Sequence, residues 1–185
     1  MDRRVKYTKN TIKECLIELL QEKDLNKITV SELCEKADIN RATFYRYYID
    51  IFDLLEKMEQ ELIDHLKEML PDYQDYSMKD VIEEYLKVLL ENKKLVKIIF
   101  SNRKSIVFLN DFFVFVYENC KEKWFLNVDI DENDKNLVSI FCFNGTLGVV
   151  NYWIQNDFEE SVESISTLIS RICYKGLYAY KKNKW

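Results

Sequence analysis

Glycine and proline are nearly missing, at three and one among 185 residues. That is roughly 2% where about 12% is usual. β-Sandwiches, barrels and wound α/β sheets need such residues at their corners, so these folds are excluded. The three glycines (Gly145, Gly148 and Gly176) have no phosphate-loop spacing. His65 is the only histidine; it has no Cys or His partner at zinc-ligand spacing, and a His-based catalytic dyad or triad is hard to assemble. The five cysteines (Cys15, Cys34, Cys120, Cys142 and Cys173) are odd in number and include no CxxC. Each sits in an apolar helical pattern, which fits reduced, buried thiols better than a disulfide framework. The N-terminus has no apolar h-region, so no signal peptide is expected. Residues 136–156 carry no charge. Asn136, Ser139, Asn144, Thr146 and Asn151 nevertheless make them too polar for a span of about 20 predominantly apolar residues. They read as a helix buried on several sides by protein. The acidic run 129–134 has Asp134 and Ile140 where an EF-hand needs Gly and Glu, and reads as a solvated, helix-capping segment. No cofactor motif, metal set or nucleophile–base pair emerges, so an enzyme is not expected.

What is present is charge asymmetry and helical periodicity. The net charge is −5. Residues 1–50 hold ten Lys/Arg against nine Asp/Glu, and the rest hold seventeen against twenty-three. Arg3, Arg4, Lys6 and Lys9 suggest a basic N-terminal arm suited to phosphate. Ile12, Cys15, Leu16 and Leu19 share one face of a first helix, from about Thr8 to Lys23. Thr29 and Glu32 form the pattern of a capping box before a short second helix. Asp38-Ile39 makes a tight turn, and Asn40 caps a third helix, Arg41–Tyr47. Asp50 caps a long fourth helix, which ends near the lone Pro71. Ser77 with Asp80 starts a further helix that runs through Tyr85, Leu86 and Leu89, and others are expected at 92–102, 104–125, 133–155 and 161–182. The expected class is all-α with about nine helices: a domain at 1–70, joined by the long helix to a larger one at 71–185.

A short helix, a three-residue turn and a second short helix have the outline of a helix-turn-helix. In that arrangement the second helix enters a DNA major groove about 12 Å wide. Arg41, Thr43, Tyr45, Arg46 and Tyr47 supply guanidinium and hydroxyl groups for such contacts, while Phe44 and Tyr48 anchor the helix inward. The run from Ile28 to Tyr48, with Thr-Phe-Tyr-Arg-Tyr-Tyr at its core and Leu54-Leu55 behind it, resembles the DNA-binding domain of TetR-family transcriptional regulators. The resemblance extends from about Tyr7 to Leu66. Short words around Glu91–Arg103 and Tyr152–Ser161 are similar to the C-terminal region of some members.

The resemblance implies a homodimer of all-helical subunits that binds double-stranded DNA at a pseudo-palindromic operator. Arg41, Ala42, Thr43 and Tyr45 would face bases or sugars. Thr29, Tyr45 and Tyr47 would touch phosphates, with Arg3, Arg4 and Lys6 adding contacts. Ile49 and Ile51 stand where members often have lysine, and Asp38 stands where a turn glycine is common. Two phosphate contacts are therefore expected to be missing. A small-molecule effector is implied in the second domain, and the aromatics there suggest Phe112, Phe115, Phe141, Asn144 and Trp153 as pocket residues. An apolar surplus on the last two helices suggests a dimer interface through Gly145, Gly148, Val149, Ile165, Leu168, Ile169, Ile172 and Gly176. The expected function is a cytoplasmic repressor released by ligand. An activator of the same fold, or an interaction module that has lost DNA binding, are the alternatives.

Overall fold

The computed structural model describes residues 3–69, 77–101, 114–116, 118, 119, 125 and 130–178. Among them are helices, turns and coil, with no strand. The chain divides into two compact units, Met1–His65 and Leu66–Trp185. The division falls inside a helix, ahead of Pro71, which lies outside the described residues.

In the first unit α1 spans Arg3–Glu22. It begins earlier than expected, so Arg3, Arg4, Lys6 and Lys9 are helical and form no extended arm. Lys and Arg are good helix formers, and no breaker separates them from Thr8. The Thr8 and Thr11 hydroxyls donate to the carbonyls of Arg4 and Tyr7 at 3.0 and 3.1 Å, a bond pattern of the helix interior. A 3₁₀ turn at Leu25–Lys27 follows, then α2, Val30–Lys36, and α3, Arg41–Tyr45. α4 runs from Ile51 to Glu68. Ile12, Leu16, Leu33, Phe44 and Leu54 are all 0% exposed and form the centre of this core. Burying side chains of this kind contributes about 1.5–3 kcal/mol apiece. That is what holds an α3 of five residues, far too short to persist alone.

The second unit contains α5 (Met78–Glu91), α6 (Lys93–Ser101), α7 (Glu132–Gln155) and α8 (Val162–Tyr178). Of the helix expected at 104–125, residues 114–116, 118 and 119 are described, and they are helical. Ser77 and Asp80 close a full capping box at the start of α5, with bonds of 3.2 and 3.0 Å. Asp131 accepts from the Asp134 amide at 2.9 Å, so part of the acidic run caps α7. α8 packs against α5 and α7, and α6 packs against α7. Contrary to the expectation from its Asn, Ser and Thr residues, α7 is by length and composition alone apolar enough to cross a membrane, a test that core helices also meet, and it is less buried than expected.

The corner after α7 has no glycine. Asp157 and Phe158 instead adopt left-handed φ of 60° and 59°. Such a conformation costs a non-glycine residue about 1–2 kcal/mol. Trp153 offsets it: its ring meets Phe158 edge-on at 4.8 Å, its carbonyl accepts the Phe158 amide, and its indole N–H donates to the Glu160 carbonyl at 2.7 Å. The Lys97 ammonium pairs with the Asp157 carboxylate at the same corner.

Candidate nucleic-acid interface and ligand cavity

α2, a turn and α3 form the expected helix-turn-helix. Thr29 accepts from the Glu32 amide at 3.3 Å. The Glu32 carboxylate also pairs with the Lys23 ammonium, a partner outside the capping box. That lysine, joined by the Thr29 backbone and Lys36, holds the Glu32 carboxyl below its usual range. A full positive charge is a stronger partner for a carboxylate than one more amide. α2 ends with the Ile39 amide reaching back to the Cys34 carbonyl at 3.0 Å, and with Asp38 left-handed at φ 51°. Aspartate tolerates that conformation, so the turn forms without glycine.

α3 is fixed at its start and from beneath. Asn40 Oδ1 accepts from both the amide and the hydroxyl of Thr43, at 2.8 and 3.0 Å. The Thr43 hydroxyl is thereby committed to the cap, leaving its methyl for other contacts. Phe44 is fully buried and its ring lies 5.5 Å from that of Tyr48. The Tyr48 hydroxyl is buried without a hydrogen-bond partner, and burial pushes its pKa up to about 12. The opposite face carries exposed Arg41, Ala42, Tyr45 and Arg46. Tyr47 is half-buried: the Lys9 ammonium lies 5.3 Å from its ring centroid, and its carbonyl accepts from Lys57 Nζ at 3.1 Å. Lys57 is a cation that sequence reasoning missed. Its only signal was the i,i+4 spacing from Asp53, to which it is bonded at 2.9 Å. Thr29, Arg3, Arg4 and Lys6 are exposed as expected, the last three on the first two turns of α1.

The two isoleucines separate. Ile49 is 76% exposed, as a lost surface contact would be. Ile51 is 4% exposed and belongs to the core, so no surface cation is missing there. Asp50 and Asp53 cap the start of α4: Asp50 accepts from the Asp53 amide at 2.8 Å, and Asp53 from the Ile49 amide at 2.9 Å.

The second unit encloses a cavity of about 180 Å³, lined almost wholly by apolar side chains that include Leu66, Tyr85, Leu86 and Phe143. Among the described residues, none of those anticipated for the pocket lines it. Trp153 is 0% exposed and belongs to the core, Phe141 is 72% exposed, and Asn144 is exposed with its amide bonded to the Ile140 carbonyl. Phe115 lies under the Lys67 ammonium, and Phe112 is outside the described residues. The reason is helical phase. Ser139, Cys142, Phe143, Thr146 and Val150 follow one stripe of α7 into the cavity, and residues one position away are turned by about 100°.

The stripe turned away from the cavity is Leu137, Phe141, Gly145, Gly148 and Tyr152, all exposed. A Cβ placed on Gly145, Gly148 or Gly176 would meet nothing within 4 Å. On α8, Leu168 and Ile172 are 46% and 51% exposed. Ile165 and Ile169, expected at an interface, are 5% and 3% exposed and pack inside the subunit. Val149 is half-buried.

Among the described residues, no group of three or more His, Cys, Asp or Glu gathers as a metal site. Two family descriptions match the chain. "Bacterial regulatory proteins, tetR family" matches residues 16–58, and "Transcriptional regulator C-terminal region" matches residues 76–175. The HTH-type transcriptional regulator YxbF of Bacillus subtilis (strain 168) is 22% identical over 162 residues, which is 84% of this chain and 42% of that protein. The chain thus spans less than half the length of this curated relative. Among solved structures, the dihydroxyacetone kinase operon activator DhaS superposes with a TM-score of 0.72 at 19% identity, over 95% of this chain and 98% of its own. FadR from Bacillus subtilis in complex with stearoyl-CoA gives 0.64 at 17% identity, over 90% and 97%. These likenesses show a shared fold.

Proposed function

The chain belongs to the TetR family of bacterial transcriptional regulators, and from that premise we propose that it is a homodimeric, sequence-specific DNA-binding repressor released by a small apolar ligand. One observation carries the reading. α3 presents Arg41, Ala42, Tyr45 and Arg46 outward from a helix that Asn40, Phe44 and Tyr48 hold rigid. Arg41 reads guanine O6 and N7, and Ala42 with the Thr43 methyl packs on thymine methyls. Thr29, Tyr47 and the cations Arg3, Arg4, Lys6 and Lys57 contact phosphates and set the register. The exposed α7–α8 face, with its three open glycines, meets the same face of a second copy in a four-helix bundle.

Among the described residues that line it the cavity has neither lysine nor arginine, which favours an uncharged ligand part against those side chains. Its volume of about 180 Å³ lies below the roughly 300–1,000 Å³ of drug-sized sites, which favours a small molecule or part of an acyl chain. α4 is continuous through the division of the chain, and Leu66 on its last turns lines the cavity. A ligand pressing on that turn shifts the population away from the DNA-fitting spacing of the two α3 helices. A gel shift with the upstream region of its own gene, at moderate salt, tests the reading. A discrete complex that outcompetes unrelated DNA supports it, and equal binding to both contradicts it. The likeness to an operon activator keeps activation as the second reading. Deleting the gene and measuring transcripts decides, because loss of a repressor raises them and loss of an activator lowers them.

A further inference from the structure

Two free thiols meet inside the cavity. Cys142 on α7 and Cys173 on α8 both line it. The two helices pack together, the two sulfurs are close enough to act on one another, and the Thr146 hydroxyl and the residue 173 amide act on the Cys173 sulfur as well. Burial among apolar groups ordinarily disfavours a thiolate. Cys15 and Cys34 follow that rule, and desolvation pushes both thiols up. Cys173 departs from it although it is 7% exposed. Donors converge on its sulfur and make it the more acidic of the pair, while Cys142 keeps its proton as a donor. An acidic sulfur beside a second thiol, both at an apolar cavity, is the arrangement of an attacking and a resolving cysteine.

We propose that Cys142 and Cys173 are a redox-active dithiol that an organic hydroperoxide entering the cavity oxidises to a disulfide. The Cys173 thiolate attacks the terminal oxygen of the hydroperoxide. The O–O bond breaks, and the alkoxide leaves and takes up a proton as an alcohol. Cys173 is then a sulfenic acid. The Cys142 sulfur attacks it, the S–O bond breaks, and the departing hydroxide takes the Cys142 proton as water. Two thiols lose two electrons, and the hydroperoxide becomes an alcohol and water. The new bond, about 2 Å long, ties α7 to α8 across the cavity wall. The apolar lining selects a hydrocarbon-bearing peroxide over hydrogen peroxide. The modification site stands on the cavity alone, and its effect on DNA rests on the regulator reading.

The test uses the reduced full-length protein, treated with equal concentrations of cumene hydroperoxide or hydrogen peroxide, thiol-blocked and digested with trypsin. Cleavage after Lys135, Arg171 and Lys175 places Cys142 in peptide 136–171 and Cys173 in peptide 172–175. The expected result is that these two peptides become linked before any other cysteine is modified, several-fold faster with cumene hydroperoxide. No link, earlier loss of Cys15 or Cys34, or a faster reaction with hydrogen peroxide overturns the proposal. Thr146→Val keeps the side-chain shape and removes one donor; its link should form several-fold more slowly, and an unchanged rate overturns the role given to that hydroxyl. DNA affinity is measured on the same samples. A mapped disulfide with unchanged affinity sinks the regulatory consequence alone, and reduced protein that never binds DNA sinks the regulator reading while the peptide map still judges the dithiol.

Discussion

In the first unit each helix has one apolar face, and each face goes to the same core. In the second unit α7 has three. Trp153 and Ile154 are buried in the subunit, Cys142, Phe143 and Thr146 line the cavity, and Leu137, Phe141 and Tyr152 are exposed. The first unit is built to be rigid: its α3 is tied at the start by Asn40 and below by Phe44. The second is built with space in it, between α7, α8 and α5, and with an uncovered apolar face. A reader of DNA gains from fixed geometry. A sensor needs a void and an element that can occupy two arrangements.

Substitutions break this contrast in graded ways. Phe44→Ala should cost about 3–5 kcal/mol, because it empties a filled core. Urea unfolding should show that loss, and DNA binding should vanish. Phe143→Ala, beside an existing void, should cost less than half as much; equal losses would mean that the two units are packed alike. Phe141→Arg places charge on the exposed α7 face. It should convert the dimer to monomer in sedimentation velocity without changing the helical circular dichroism, and a persistent dimer would move the interface elsewhere. Arg41→Ala should weaken operator binding by about 1–3 kcal/mol and relax specificity at one position, with the dimer intact. Anisotropy titrations check the first and sedimentation the second. The smallest effect belongs to Ile49→Lys, which restores an exposed cation. It should steepen the slope of log K against log salt by about 0.9, whereas Ile51→Lys should destabilise the fold and bring no such gain.

The legible parts of the sequence were those where local chemistry has one outcome. Asn40 before Arg41, Asp50 before Ile51, and Ser77 with Asp80 are caps in the sequence and caps in the structure. Asp38 in the turn was equally readable, because few other side chains accept its backbone. The second partner of Glu32 was not, since Lys23 lies outside the capping box. Ile51 looked like a surface position by family pattern, yet it packs into the core. The largest loss was on α7. Its apolarity runs nearly all round, so periodicity could not assign a face to the cavity, the core or the exterior. Phe141 and Trp153 were therefore placed in a pocket that Phe143 and Cys142 line instead.

The most direct measurement is a selection of the full-length protein on random DNA duplexes, followed by sequencing of the bound fraction. The account predicts an inverted repeat whose half-sites are centred about 10–10.5 base pairs, or a multiple, apart, enriched by the wild type and lost with Arg41→Ala. Enrichment of a single unrepeated site, no enrichment, or an unchanged motif with Arg41→Ala would contradict it.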